Sequence, residues 1–158
     1  MHLAHRSGSG WAITDSLRAP AGAVGWYGAS VALAGGNLLA GAPIATSAAT
    51  HANCGAAVLH VLADGRWTQR ALLVPPEGNG GDGFGLAVAL SDGWAAIGAP
   101  GDDVRGRDAG AAWTVDLGTL RLERVTARIP HAGDGYGAGV AFGRGEPGAG
   151  AGPARFLA

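Results

Sequence analysis

The sequence predicts an all-β fold of β-propeller blades, each of four antiparallel strands, forming an incomplete ring of about 2.5 blades. Three observations lead there. The first is an internal repeat: residues 27–43 (YGASVALAGGNLLAGAP) lie over residues 84–100 (FGLAVALSDGWAAIGAP) at an offset of 57 without a gap, and 8 of the 17 positions are identical. A Gly- and Ala-rich composition alone would give about two. The second is turn chemistry, which divides each unit of about 55 residues into four short apolar runs. The third is that no window sustains a 3.6-residue period with caps, so little helix is expected.

Each unit opens on an aromatic-Gly pair: Tyr27-Gly28, Phe84-Gly85 and, at an offset of 52 from the second, Tyr136-Gly137. A first strand is expected at 31–33 and 86–90, with turns at 34–37 and 91–93. A second follows at 38–40 and 94–97. It ends in Gly41-Ala42-Pro43 or Gly98-Ala99-Pro100, where proline has no N–H to give a ladder. Third strands start at Gly55 and Gly110, and fourth strands at 66–73 and 119–126 follow the turns at Asp64-Gly65 and Asp116-Leu117-Gly118. Upstream, residues 11–20 lie over 67–76 at an offset of 56, so the chain enters late in a unit. The expected organisation is a flexible N-terminus (1–10), propeller blades (11–142) and a degenerate Gly/Ala/Pro-rich tail (143–158).

The aromatic-Gly at Phe84-Gly85, the Gly-Ala-Pro at 98–100, the GAAW at 110–113 and the DGRWT at 64–68 together resemble the FG-GAP repeats of integrin α-subunit propellers and of many bacterial surface proteins. The resemblance spans residues 11–142, and its structural repeat residues are Tyr27, Gly28, Gly41, Ala42, Pro43, Phe84, Gly85, Gly98, Ala99, Pro100, Tyr136 and Gly137. It implies a non-enzymatic, extracellular or cell-surface platform for protein binding or adhesion, supported in some members by calcium. Closing a ring takes about 4 to 8 blades. The chain is therefore expected to be part of a longer propeller, a protomer that closes its ring by association, or a short open stack.

Composition removes other classes. With 47% hydrophobic and 15% charged residues the chain has the content of a folded protein, and its net charge of −1 leaves no electrostatic footprint for nucleic acid. All 11 basic residues are arginine, which excludes lysine-dependent phosphate loops and Schiff bases. No segment has the length of a membrane helix, and no signal peptide is visible. The single Cys54 cannot form an intrachain disulfide and is expected as a buried thiol.

The candidate binding loops are residues 43–54 and 100–109, for a protein or glycan ligand. In the second, Asp102, Asp103 and Asp108 are the best candidates for a Ca²⁺ site, since that ion needs several oxygen ligands gathered by a tight loop. The spacing D-x-D-x-D-G is absent and Arg105 and Arg107 stand among the acids, so a solvated turn is the expected state, and no cofactor is assigned. Tyr27, Phe84, Tyr136, Trp67 and Trp113 are expected in blade-to-blade packing. Trp26 and Trp94 are less constrained and would serve a self-assembling, lectin-like propeller as sugar platforms. The Gly143-x-Gly145-x-x-Gly148 pattern has no helix after it to hold a pyrophosphate. His2 and His5 belong to the expected flexible terminus, and His60, flanked by Leu59 and Val61, is expected to face solvent. His51, His60 and His131 are scattered and assemble no catalytic set.

Overall fold

A computed structural model describes residues 1–46, 53–91, 93–143 and 155–158. Its strands are β1 (His2–Ser7), β2 (Gly10–Ser16), β3 (Ser30–Ala34), β4 (Asn37–Ala42), β5 (Ala56–Ala63), β6 (Arg66–Leu73), β7 (Val88–Ser91), β8 (Trp94–Ala99), β9 (Ala111–Asp116), β10 (Leu122–Val125), β11 (Ala141–Gly143) and β12 (Arg155–Leu157). Two four-stranded antiparallel sheets, β3-β4-β5-β6 and β7-β8-β9-β10, are flanked by the two-stranded hairpins β1-β2 and β11-β12. These are two whole blades with half a blade at each end, and no ring closes. The described residues contain no helix.

Strand order follows from local chemistry. β3 and β4 meet across Gly35-Gly36, both at positive φ, and β5 and β6 across Asp64-Gly65, likewise at positive φ. Such conformations suit the tight turns that join neighbouring antiparallel strands. β4 and β8 are interior strands of their sheets, and both bury every residue after the first. The first strand of each unit lies beside the first strand of the next, β3 against β7 and β7 against β11.

Between the whole blades lies the main core. Leu39, Ala57, Leu59 and Leu73 from the first blade meet Ala95, Ile97, Trp113 and Val115 from the second, with Phe84 wedged among them. Each fully buried Leu or Ile here contributes about 1.5–3 kcal/mol of hydrophobic stabilisation. Phe84 sits edge-on to Trp113, ring centroids 6.2 Å apart. Trp67, by contrast, is only half-buried, as are Tyr27 and Tyr136.

The repeated glycines lace one blade to the next. Within a unit, the N–H of Gly85 donates to the carbonyl of Gly98 at 2.9 Å, as Gly28 does to Gly41 at 2.8 Å. Across units, Gly41 lies against the carbonyl of Gly85 and Gly98 against that of Gly137, so closely that a Cβ at either position would fall on the facing oxygen. The Ser30 hydroxyl also donates to Gly85 O, at 2.7 Å. Phe84 N–H and Tyr136 N–H donate to the preceding third-strand loops, at Cys54 O (2.9 Å) and Ala109 O (3.0 Å).

Strands extend into both ends of the chain, and one side-chain expectation is overturned. Residues 1–10 carry β1 and the start of β2 where a flexible terminus was expected; a turn with Gly8 at φ 57° lets this polar segment pair back on β2. The tail contributes β12, which pairs with β11, while the glycine pattern beyond Gly143 lies outside the described residues. His60 is 4% exposed where a solvent-facing side chain was expected. The third strand is covered on both faces at that point, so alternation does not lead to water. His51 lies outside the described residues.

Candidate functional site

The two Gly-Ala-Pro prolines, 57 residues apart, are brought to one groove. It opens between the blades with a volume of about 680 Å³ and is lined by Trp26, Pro43, Ile44, Asn53, Gly80, Gly81, Gly83, Leu86 and Pro100. Its walls are apolar and unusually bare: Trp26 is 68% exposed, Ile44 45% and Leu86 43%. Trp26 adopts φ 55°, an uncommon conformation for a bulky side chain, within a turn in which Ala29 N–H donates to its carbonyl at 2.9 Å. Asn53, at φ 60°, is bonded through its carbonyl to Gly81 N–H at 3.2 Å and through its side chain to the Thr46 hydroxyl at 2.5 Å. Both candidate loops thus contribute: Pro43, Ile44 and Asn53 from the first, Pro100 from the second.

A second recess, about 260 Å³, places Trp94 beside Asp116, Thr119, Arg121 and Glu123. Arg121 and Glu123 pair at 3.1 Å, and Asp116 Oδ1 accepts the N–H groups of Gly118 and Thr119. Those bonds hold the Asp116 carboxyl below its usual range.

The acidic loop does not present its carboxylates together. Asp102 is buried; its Oδ1 accepts Val104 N–H at 3.0 Å, and its Oδ2 lies 3.3 Å from Arg124 Nη2. Asp103 Oδ1 accepts Asp108 N–H at 2.7 Å, and Asp108 meets the exposed Arg107 at 3.6 Å. Among the described residues no three His, Cys, Asp or Glu side chains gather as a metal site. The partner that sequence spacing misses is Arg124, 22 positions beyond Asp102 on β10. Its guanidinium also stacks 4.7 Å from the Trp113 ring.

A partly buried polar pair lies apart from the groove. Tyr27 Oη and His60 Nε2 are 2.7 Å apart, and His60 Nδ1 has no hydrogen-bond partner among the described residues. Burial pushes the Tyr27 phenol up to about 12 and the His60 imidazole below its ordinary range. The unfolded chain therefore binds the His60 proton more readily than the folded one. Stability should fall as pH drops through about 6.5 and level off below the lowered folded value. His60→Val, which installs the residue found at the matching position Val115 of the second blade, should flatten this dependence. Urea midpoints at pH 8, 6.5 and 5 for both proteins test it, and identical profiles would refute it.

The blade order, the glycine contacts across blades and the paired Gly-Ala-Pro segments define a repeat unit recognisable by comparison. Residues 67–115 match the FG-GAP repeat. The matched FG-GAP segment runs from β6 of the first blade to β9 of the second, so it straddles the blade boundary and contains Phe84-Gly85 and Gly98-Ala99-Pro100. It covers about a third of the chain. No curated protein shows a significant match. Among the described residues no helix is long and apolar enough to cross a membrane.

Proposed function

We propose that this chain is a non-catalytic FG-GAP module that binds a protein ligand in the groove between its blades, at an extracellular or cell-surface location. The observation that supports it most is the exposed Trp26 standing over an apolar groove built from equivalent loops of two repeats. A rigid aromatic beside a preformed concavity is the usual composition of a binding hot spot. The spread of His2 and His5 on β1, His60 on β5 and His131 in the loop before β11 supports a non-catalytic reading, as does the FG-GAP match itself.

A second reading has its own observation. Trp94 borders Asp116, Arg121 and Glu123, an indole face next to charged hydrogen-bonding groups, which is the chemistry that holds a sugar ring. The two sites separate by mutation. Screened against protein and glycan arrays, a protein ligand of the groove should lose at least about tenfold in affinity, about 1.4 kcal/mol, on Trp26→Ala while the melting temperature is unchanged. Binding that survives both Trp26→Ala and deletion of residues 101–108 refutes the groove. Glycan binding lost with Trp94→Ala alone selects the second recess.

A further inference from the structure

The two end hairpins correspond to opposite halves of one blade. The β1-β2 ladder shifts register between Leu3 and Ala4, and the β5-β6 ladder shifts between Leu59 and His60, the same 56-residue offset that superposes Trp11 on Trp67. Hence β1-β2 is a third-and-fourth-strand pair. At the other end, Tyr136 bridges Gly110 as Phe84 bridges Gly55, and β11 lies beside β7 as β7 lies beside β3. Hence β11-β12 is a first-and-second-strand pair. In the order of the whole blades the second strand neighbours the third. β12 and β1 are those strands, and neither pairs with any described strand beyond its own hairpin.

The repeat supplies its own control for what is uncovered. Val88 and Leu90 pack into the core between the whole blades, where β3 and β4 adjoin β7. Val31 and Leu33, the same residues at the same repeat positions, are 56% and 65% exposed. What is missing over them is a first-and-second-strand pair. On β2, Trp11 and Ile13 share one face and are exposed as well. The β11-β12 end has a complementary open apolar groove at Gly139, Val140, Ala141, Leu157 and Ala158.

We infer that β11-β12 of one copy of this chain docks beside β1-β2 of a second copy, covering Val31 and Leu33 and completing a blade in the order β11-β12-β1-β2. Among the described residues, two whole blades and two halves make three blade equivalents. Closed rings hold about 4 to 8 blades, so of the multiples of three only six fits. The assembly is a dimer with two composite blades, a head-to-tail contact that closes instead of running on as a filament. Main-chain pairing of β12 with β1 is strand addition at an exposed edge.

Light scattering on the full 158-residue chain across a concentration series should plateau at twice 15.5 kDa. The double substitution Val31→Glu and Leu33→Glu, at residues exposed in the single chain, should give 15.5 kDa with an unchanged strand signature in circular dichroism. Ile129→Glu, at an exposed residue outside β1, β2, β11 and β12, should leave the dimer intact. A wild-type monomer throughout, a mass that grows without a plateau, or a double variant that stays dimeric overturns the inference. Should the double variant fail to fold, hydrogen exchange on the wild type decides: β1 amides must gain protection as concentration rises, and constant protection refutes pairing at that edge.

Discussion

Replacing Gly98 with alanine is expected to lower the unfolding free energy by more than about 4 kcal/mol, a size reached by few single substitutions. The cause is backbone against backbone. A Cβ at Gly98 would fall on the carbonyl oxygen of Gly137 and 2.9 Å from its carbon, and neither atom belongs to a side chain that can rotate away. Relief requires moving β8 away from the segment that leads into β11, which also strains the bond from Gly85 N–H to Gly98 O. Gly41→Ala should behave alike, since its Cβ would meet Gly85 O and the Ser30 hydroxyl. Gly10→Ala is the control: nothing lies within 4 Å of its Cβ direction, and the change should fall within about 0.5 kcal/mol. Urea titrations of the three variants check this. If Gly98→Ala and Gly10→Ala shift the midpoint equally, the close blade approach is not what fixes glycine at this position.

That contact explains why the fold was legible in the sequence. The aromatic-Gly and Gly-Ala-Pro signatures are the two sides of one inter-blade contact, so both recur in the sequence where blades stack. The strand pattern was equally legible, because turn residues act locally: the fourth strand expected at 66–73 is β6 itself. Reading stopped where a residue's state depends on distant partners. His60 has apolar neighbours on both sides in sequence, and only the approach of Tyr27, 33 residues away, makes it a buried, hydrogen-bonded group. β1 is polar enough to look like a terminus, yet backbone pairing holds it regardless of its side chains. The groove joins loops of two repeats, so its lining is contiguous only in space. In the acidic loop, spacing exposes three carboxylates and two arginines, whereas the cation that meets Asp102 comes from another strand.

That cation gives the other large effect. Arg124 is 16% exposed in its side chain and stacks on Trp113, with Asp102 (2% exposed) at 3.3 Å and the exposed Glu77 at 3.4 Å. The contact with Asp102 is one of charge more than of a directed hydrogen bond, since Arg124 Nη2 and Nε make no hydrogen bond of good geometry. Asp102→Ala leaves a guanidinium in a largely dry site with one solvated counter-ion and also removes the acceptor of Val104 N–H. Breaking a buried pair from one side costs about 3–5 kcal/mol, and that loss is expected here. Asp102→Asn keeps an acceptor for Val104 but not the charge, so it should fall between Ala and wild type. The decisive variant is the double one. Asp102→Ala with Arg124→Leu removes both charges and fills part of the space over Trp113, so it should recover a substantial part of the loss, as replacement of buried pairs by apolar side chains does. A double-mutant cycle from urea unfolding reads the coupling directly. If the two single effects simply add, the pair is bystander chemistry and the loop is held by its backbone hydrogen bonds alone.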